Sequence, residues 1–314
     1  MAVYALMPVF NRLALTRQAI DSLRKQRDVD VRIVVIDDGS ADGTAEFLAT
    51  QQDLIVLRGN GDLWWGGAMD LAMRHVHRML ARGDYLLFVN NDTSFDPQFI
   101  ASLVSASRSN GNAAVGCIVR DANDPSKVLT VGARANLNKF QIREIATELD
   151  LTRLADPQAV RDEVLPVDFL PGRGTLFPGE VLDRAGYMRP RLLPHYRADY
   201  EFSDRVRRAG FPLRVSLGSA LLTHDAFGTE KKIPSFWQRN FGKGSPTNWL
   251  QSYVFFCLVG SGWQRATAIP RYWHEAMMIA WAPTVRRWIP VVARNVNRVG
   301  RGFRKLARMI TGLR

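Results

Sequence analysis

The apolar run Tyr85–Val89 ends in three consecutive polar side chains, Asn90, Asn91 and Asp92. A buried strand that finishes this way opens into a cleft. A hard cation such as Mg²⁺ or Mn²⁺ takes carboxylate oxygen and leaves positions for phosphate oxygens. Asp92 can supply the carboxylate, while Asn90 and Asn91 can hydrogen-bond a donor or metal-bound water. A turn in which Asp92 or Ser94 caps the next helix uses the same residue types. A second polar run, Asp37-Asp38-Gly39-Ser40, follows Val31–Ile36. There one carboxylate, assigned here to Asp37, can accept the N3–H of a uracil or thymine ring. That ring edge flanks its single donor with carbonyls, so an acceptor is required. A capping turn is again the competing reading.

The elements that would position these residues follow from hydrophobic periodicity. Ala2–Pro8, Val31–Ile36, Leu54–Leu57, Tyr85–Val89 and Ala113–Val119 read as strands, the second β-branched and continuous as in a sheet buried on both faces. Helical spacing marks Leu15–Gln26, a segment starting near Asp42, Ala68–Leu80 and Pro97–Ser107. Alternation of this kind predicts a mostly parallel sheet flanked by helices, with ligands beyond the carboxyl ends of the strands. Residues 120–165 are more polar and less regular, with a strand excursion over Lys127–Ala135 and a flexible loop. Then come a strand over Leu165–Leu170, a Pro-Gly-Arg-Gly turn, and helices near Gly179–Ala185 and Asp199–Ala209. A strand pair around Leu213–Thr223 ends at His224.

In order and spacing, Pro8-Val9-Phe10-Asn11, Asp37-Asp38-Gly39-Ser40 and Asn90-Asn91-Asp92 resemble family 2 glycosyltransferases of the GT-A fold. Asn60-Gly61-Asp62-Leu63-Trp64-Trp65-Gly66-Gly67 is similar to that family's Gly-rich segment, especially in its rhamnosyltransferase-like branch. The resemblance covers about residues 2–228. It implies an inverting, metal-dependent sugar transfer from a dTDP- or UDP-sugar. Pro8, Phe10, Asn11, Asp37, Gly39, Asn60, Gly67, Asn90 and Asn91 would hold the donor, and Asp92 and His224 the Mg²⁺ or Mn²⁺. Gly172-Arg173-Gly174 would sit in the acceptor loop. Ala198-Asp199-Tyr200-Glu201 matches the segment whose second position is the catalytic base, which makes Asp199 the base and Glu201 an acceptor contact. Ala198 replaces the family's usual Glu, so another cause must raise the Asp199 pKa. Trp64 and Trp65 can stack on sugar faces, or serve only the core.

Bulk properties fit such an enzyme. The 314 residues, 46% hydrophobic, suffice for one large domain with an appendage. Cys117 and Cys257 share no metal-ligand spacing and imply no disulfide framework, which fits a reducing cytoplasm. The N-terminus reads as a strand and not as a signal peptide. No uninterrupted apolar stretch reaches about 18 residues. The formal net charge is +12, and no acidic residue follows Glu275. From Val292, apolar residues at Val296, Val299, Phe303, Leu306, Ile310 and Leu313 form one helical stripe, with Arg and Lys on other faces. A basic amphipathic helix of this kind lies on an anionic membrane surface; a tail docked on the enzyme's own core and a nucleic-acid patch are the rival readings.

The expectation is therefore a GT-A α/β domain over 1–230, its nucleotide-binding half 1–120 and its acceptor half 121–230. A helical, basic, membrane-facing extension follows over 231–314. The product would be a cell-surface glycan or its lipid-linked precursor, extended with rhamnose or another hexose. The enzyme would be peripheral on the inner face of the cell membrane, binding through 286–314, with no nucleic acid as partner. A non-enzymatic basic membrane- or nucleic-acid-binding protein on a degenerate transferase fold is the alternative. A nicotinamide-type oxidoreductase is disfavoured, since no Gly-x-Gly-x-x-Gly follows the first strand. Truncation at about residue 285 is expected to abolish co-sedimentation with anionic vesicles while sparing nucleotide binding, with unchanged sedimentation refuting the membrane role.

Overall fold

A computed structural model describes residues 1–149, 151–154, 159–224, 236–267, 270 and 277. The chain forms two compact units, Met1–Ser261 and Gly262–Arg314. Helices α8 (Phe236–Phe241) and α9 (Trp249–Val259), which the sequence assigns to the extension, belong to the first unit. The amphipathic stripe over 292–313 lies outside the described residues. No helix of the described residues is long and apolar enough to cross a membrane.

The nucleotide-side half alternates as expected: β1 (Ala2–Val9), α1 (Leu13–Arg24), β2 (Asp30–Asp37), α2 (Thr44–Ala49), β3 (Ile55–Arg58), α3 (Trp64–His77), β4 (Tyr85–Phe88), β5 (Thr93–Phe95), α4 (Phe99–Ser109) and β6 (Ala114–Asp121). After it come β7 (Val128–Thr130), β8 (Ala133–Asn136), β9 (Gln141–Glu144), α5 (Leu151–Leu154), β10 (Val164–Pro166), β11 (Thr175–Pro178), α6 (Val181–Ala185), α7 (Ala198–Arg208) and β12 (Leu213–Thr223). Among the described residues, ten strands form one sheet with the path β10-β12-β6-β11-β4-β1-β2-β3. Strands β3, β2, β1 and β4 are mutually parallel, as are β6 and β12, while β11 runs antiparallel between β4 and β6. The mixed α/β architecture with a mostly parallel sheet is the expected one.

Side-chain alternation along the strands builds a core on each face of the sheet. Val3, Ala5, Met7 and Val9 of β1 pack with Ile20 and Leu23 of α1 and with Ile100 and Leu103 of α4. On the opposite face α3 lies against β1 and β2. There Phe88 of β4 meets Phe177 of β11 and Phe202 of α7, with ring centroids 4.7 and 5.8 Å away, and Trp65 at 6.1 Å.

Several elements differ from the expectation. Helix α3 begins at Trp64, not Ala68, because Gly66 N donates to Pro194 O at 2.8 Å and Gly67 N to Leu63 O at 3.0 Å, closing a first turn that weak helix formers would not hold alone. Strand β11, Thr175–Pro178, has no counterpart among the expected strands. The expected pair over Leu213–Thr223 is the single strand β12, whose register against β6 shifts between Ser216 and Ala220. The expected strand Leu165–Leu170 is confined to Val164–Pro166. Polar residues 120–165 contain β8 and β9, a separate two-stranded sheet.

Phe88 is fully buried under the site. Phe88→Ala is expected to cost about 3–5 kcal/mol, read as a lowered denaturation midpoint; a change below about 1 kcal/mol would mean that this aromatic cluster does not support the fold.

Candidate active site

The strand ends supply one edge of the site. Asn11, just past β1, accepts Ala41 N through Oδ1 at 2.9 Å, while its own amide donates to Ser40 Oγ at 2.8 Å. Asp37, the last residue of β2, is buried and accepts Ser40 N at 2.9 Å. Asp38 behaves differently from its neighbour: its carboxylate accepts Gly61 N at 2.8 Å, Leu63 N at 2.9 Å and Trp64 N at 3.2 Å. Asp38 thus organises the Asn60–Trp64 loop, while Asp37 holds the Ser40 amide. Sequence reasoning missed this division; the only signal available was that adjacent strand residues face opposite ways. Phe10 is exposed, and Gly39 sits against Gly61. Pro8 is paired with Ile36 inside the sheet, and Asn60 is exposed, with its Oδ1 accepting Asp62 N at 3.1 Å.

Several non-glycine residues with positive φ border this region: Asn11 (56°), Arg12 (68°), Trp64 (56°) and Arg197 (67°). Such a conformation costs about 1–3 kcal/mol for a bulky residue and persists only where its surroundings over-determine it. For Trp64 the constraint is visible. Its amide is held by Asp38, and its indole N–H donates to Asp62 at 2.9 Å. Lys243 Nζ, from the α8–α9 connection, pairs with the same Asp62 carboxylate at 2.9 Å. His195 stands edge-on to the Trp64 ring at 5.6 Å. Nothing local in the sequence announces Lys243 or His195, which lie far along the chain.

The second edge gathers Trp65, Asn90, Gly172 and Asp199. Trp65 donates its indole N–H to Asn90 Oδ1 at 3.1 Å. Gly172 N donates to Asp199 Oδ2 at 2.8 Å. A β-carbon on Gly172 would lie 2.3 Å from the Trp65 ring, so only glycine lets this backbone pass between indole and carboxylate. Gly174 has φ 74°, and a β-carbon there would lie 2.3 Å from Leu221 and 2.6 Å from Cys117. Asp199 lies in the first turn of α7. Burial pushes its carboxyl above the ordinary value, partly offset by the amides of Gly172 and Tyr200. Burial thus does the work that the missing acidic neighbour at Ala198 would do.

Asp92 is buried, and its Oδ2 lies 3.4 Å from an Arg173 guanidinium nitrogen. Arg173, also buried, donates to Thr223 Oγ1 at 2.8 Å. The expected acceptor contact by Arg173 is therefore replaced by an ion pair with the expected metal ligand. Thr223 was not anticipated at all. His224 reaches Asp92 by its backbone, N to O at 2.8 Å. Its imidazole Nε2 instead lies 2.8 Å from Gln18 Nε2 and 3.2 Å from Ser94 Oγ. The Gln18 amide nitrogen can only donate, so this ring nitrogen is an acceptor already in use. No group of three or more His, Cys, Asp or Glu side chains suited to a metal occurs among the described residues. What is built is a single anionic oxygen donor group, chemically right for a hard cation that arrives with the oxygens of a diphosphate.

Three other expected contacts are redirected. Asn91 is buried and donates to Thr16 Oγ1 at 3.1 Å, fastening the turn to α1 and not lining the cleft. Gly67 is buried in the first turn of α3, beside Leu63 and Pro190. Glu201 is 2% exposed and pairs with Arg205 at 2.9 Å and Arg189 at 3.2 Å, which exhausts it as an acceptor contact.

Comparison with known proteins decides the family. The sequence profile of "Glycosyl transferase family 2" matches residues 4–164, just over half of the chain. This chain belongs to glycosyl transferase family 2. An uncharacterized glycosyltransferase of Mycoplasma genitalium is 26% identical over 110 residues, covering 32% of this chain and 35% of that protein. The chain thus spans about a third of the length of that curated relative. Among solved structures, S. aureus TarS 1-349 in complex with UDP-GlcNAc has a TM-score of 0.54 at 14% identity, covering 90% of this chain and 73% of that one. GalNAc-T7 with UDP, GalNAc and Mn²⁺ has a TM-score of 0.58 at 13% identity, covering 82% and 47% respectively. At such identities these two speak for the fold alone, which is the GT-A class expected from the sequence.

Because Asp38 accepts three amides, Asp38→Asn is expected to destabilise the family 2 domain by about 1–3 kcal/mol and to speed hydrogen exchange at Gly61, Leu63 and Trp64. Unchanged exchange at those amides would show that the loop holds itself.

Proposed function

We propose that this family 2 member transfers a sugar from a nucleoside diphosphate donor to a glycan hydroxyl, with Asp199 as general base. The observation that carries the reading is the enclosed Asp199 carboxylate, fixed by Gly172 N at 2.8 Å and raised in pKa by burial. A carboxylate near its ordinary pKa of about 3.9 is a weak base at neutral pH, and desolvation makes it a stronger one. The acceptor hydroxyl gives its proton to Asp199 as its oxygen attacks the anomeric carbon. The nucleoside diphosphate leaves from the opposite face with the bonding electrons, and the configuration inverts. A UDP- or dTDP-sugar suits Asp37 as the acceptor for the base N3–H, with Phe10 exposed beside it. The fold-level likeness to structures holding UDP-GlcNAc and UDP supports a uridine donor. Rhamnose is the candidate sugar from the resemblance alone, and a lipid-linked or cell-surface glycan the candidate acceptor.

A divalent cation, Mg²⁺ or Mn²⁺, would bind on Asp92 and supply charge to stabilise the leaving diphosphate. Asp92 is one carboxylate and already faces a guanidinium, so the donor's own oxygens must complete the coordination. Trp64 and Trp65 would present ring faces to sugar, the second held in orientation by Asn90. Membrane association through 286–314 is proposed from charge and periodicity, as the means to meet a lipid-linked acceptor.

Thermal shift with UDP- and dTDP-sugars, with and without Mn²⁺, is expected to show cation-dependent stabilisation by the true donor; no shift with any nucleotide sugar would refute the donor class. Asp199→Asn is expected to keep donor affinity and to lower turnover by about 10²–10⁴-fold. In the wild type, the acid limb of kcat/KM should lie above the ordinary carboxylate pKa, because protonation removes the base as pH falls. Undiminished turnover in Asp199→Asn would remove Asp199 from the mechanism.

A further inference from the structure

Trp64 is held more firmly than an exposed aromatic side chain needs to be. Its backbone sits at φ 56°, its amide donates to Asp38 at 3.2 Å, and its indole N–H donates to Asp62 at 2.9 Å. Lys243, from the connection between α8 and α9, fixes that Asp62 carboxylate. A β-carbon on the next residue, Gly244, would stand 2.3 Å from the Trp64 ring. Despite these restraints Trp64 is 37% exposed. A strained residue that is held from several sides and still meets solvent marks a ligand contact. His195 stands beside it, with ring centroids 5.6 Å apart. The segment carrying His195 is fastened to the start of α3, where Gly66 N donates to Pro194 O at 2.8 Å. Other histidines of the chain are engaged: His77 with Tyr187 at 2.7 Å and Asp183 at 3.0 Å, and His224 with Gln18 and Ser94. The His195 ring makes no hydrogen bond among the described residues, and its Nδ1 is buried without a partner. A buried polar atom left unpaired costs stability, and its retention calls for a reason. Burial also lowers the pKa of this imidazole, so the ring is neutral at neutral pH, with one nitrogen a donor and the other an acceptor.

We propose that Trp64 and His195 form a subsite for an uncharged sugar ring of the acceptor. This rests on the transferase reading above and names its acceptor class. The indole covers the apolar face of the sugar, and the imidazole pairs with one of its hydroxyls. The segment that carries His195 runs on into α7, whose first turn holds the proposed base Asp199. Asp199 takes its proton from the acceptor, so a subsite built on the approach to its helix lies on the acceptor's side. Charges around the pair are already matched. Asp62 and Lys243 offset each other at 2.9 Å, and the Asp38 carboxylate is taken by three amides. The Arg197 guanidinium lies over the Phe255 and Phe256 rings at 5.4 and 5.7 Å. A carboxylate or phosphate brought here would lose water and gain none of these cations without breaking an existing contact. A hexose or deoxyhexose fits the subsite, and a uronic acid or sugar phosphate does not.

Saturation-transfer difference NMR of the full chain with methyl α-glucoside, methyl α-rhamnoside and methyl β-glucuronide, in the presence of UDP, reads the subsite. Titration calorimetry with UDP reads the donor side separately. The wild type is expected to bind the neutral glycosides about tenfold more tightly than the glucuronide. His195→Phe keeps a ring beside Trp64 and removes the unpaired Nδ1. It is expected to weaken neutral glycoside binding by about tenfold, to leave UDP affinity unchanged, and to hold or raise the denaturation midpoint. A purely structural histidine would instead lower the midpoint and leave glycoside binding intact. His195→Gln restores a hydrogen-bonding group and should recover part of the affinity. Gly244→Ala presses on an indole that Asp62 keeps in place, and should weaken glycoside binding with UDP affinity unchanged. If Gly244→Ala does not fold, the two His195 variants carry the test. Glycoside affinity equal in wild type and His195→Phe, parallel loss of UDP and glycoside binding, or glucuronide binding as tight as that of the neutral sugars would overturn the assignment. Nucleotide binding by a wild type that binds no glycoside would overturn this subsite alone, whereas failure to bind any nucleotide sugar sinks the transferase reading itself.

Discussion

Strand β11 runs against both of its neighbours, and this reversal decides what faces what at the β4 exit. A parallel strand there would deliver its own carboxyl end to the cleft. An antiparallel one delivers its beginning, so the segment Pro171–Gly174 that leads into β11 arrives beside Asn90 and Asp92. Two consequences follow from the same backbone. The Gly172 amide reaches Asp199, and the Arg173 guanidinium reaches Asp92. The close approach of Gly172 to Trp65 leaves no room for any side chain. The Asp199 carboxylate, the Trp65 indole and the Asp92 carboxylate therefore all meet the segment leading into one short strand, in which Thr175 pairs with Phe88.

Around this strand the site is stiffened by buried carboxylates held in several contacts each. Asp38 spends its carboxylate on three amides and so holds Trp64 in a conformation it would not adopt freely. Glu201 is similarly committed, within a cluster that includes Arg189 and Arg205, and Asp204 pairs with Arg207 and Arg208. This network anchors α7, the helix whose first turn carries Asp199. Buried charges of this kind specify position more than they add stability, because desolvation offsets most of the attraction. Position is what the general base proposed at Asp199 requires, since proton transfer depends on hydrogen-bond reach.

Family membership and the GT-A architecture agree with the arrangement of the elements, and the chemistry proposed rests on this chain's own side chains. Asp199 has no acidic neighbour at Ala198, yet burial supplies the shift that such a neighbour would have produced. Asp92 is the only anionic residue in its run, and an Arg173 guanidinium nitrogen stands 3.4 Å from its carboxylate.

The sequence by itself determined the strands that are continuous apolar runs, the parallel order of the first half, and the positions of Asp37, Asp92 and Asp199 at element ends. These are local or periodic properties: a buried strand needs an unbroken apolar run, and a polar group at its end needs solvent or a ligand. Only the tertiary structure decided which way those groups turn. Asp38 and not Asp37 holds the Gly61, Leu63 and Trp64 amides, a choice between adjacent carboxylates that the run itself does not make. Asn91 and Glu201 are consumed by Thr16 and by two arginines, partners that no spacing rule connects to them. Strand β11 is four residues long and follows a Gly-Arg-Gly turn, so its own propensity is weak, and its pairing with β4 and β6 makes it a strand. The Asp92–Arg173 pair spans 81 positions of sequence, and a contact so distant is set by sheet register alone.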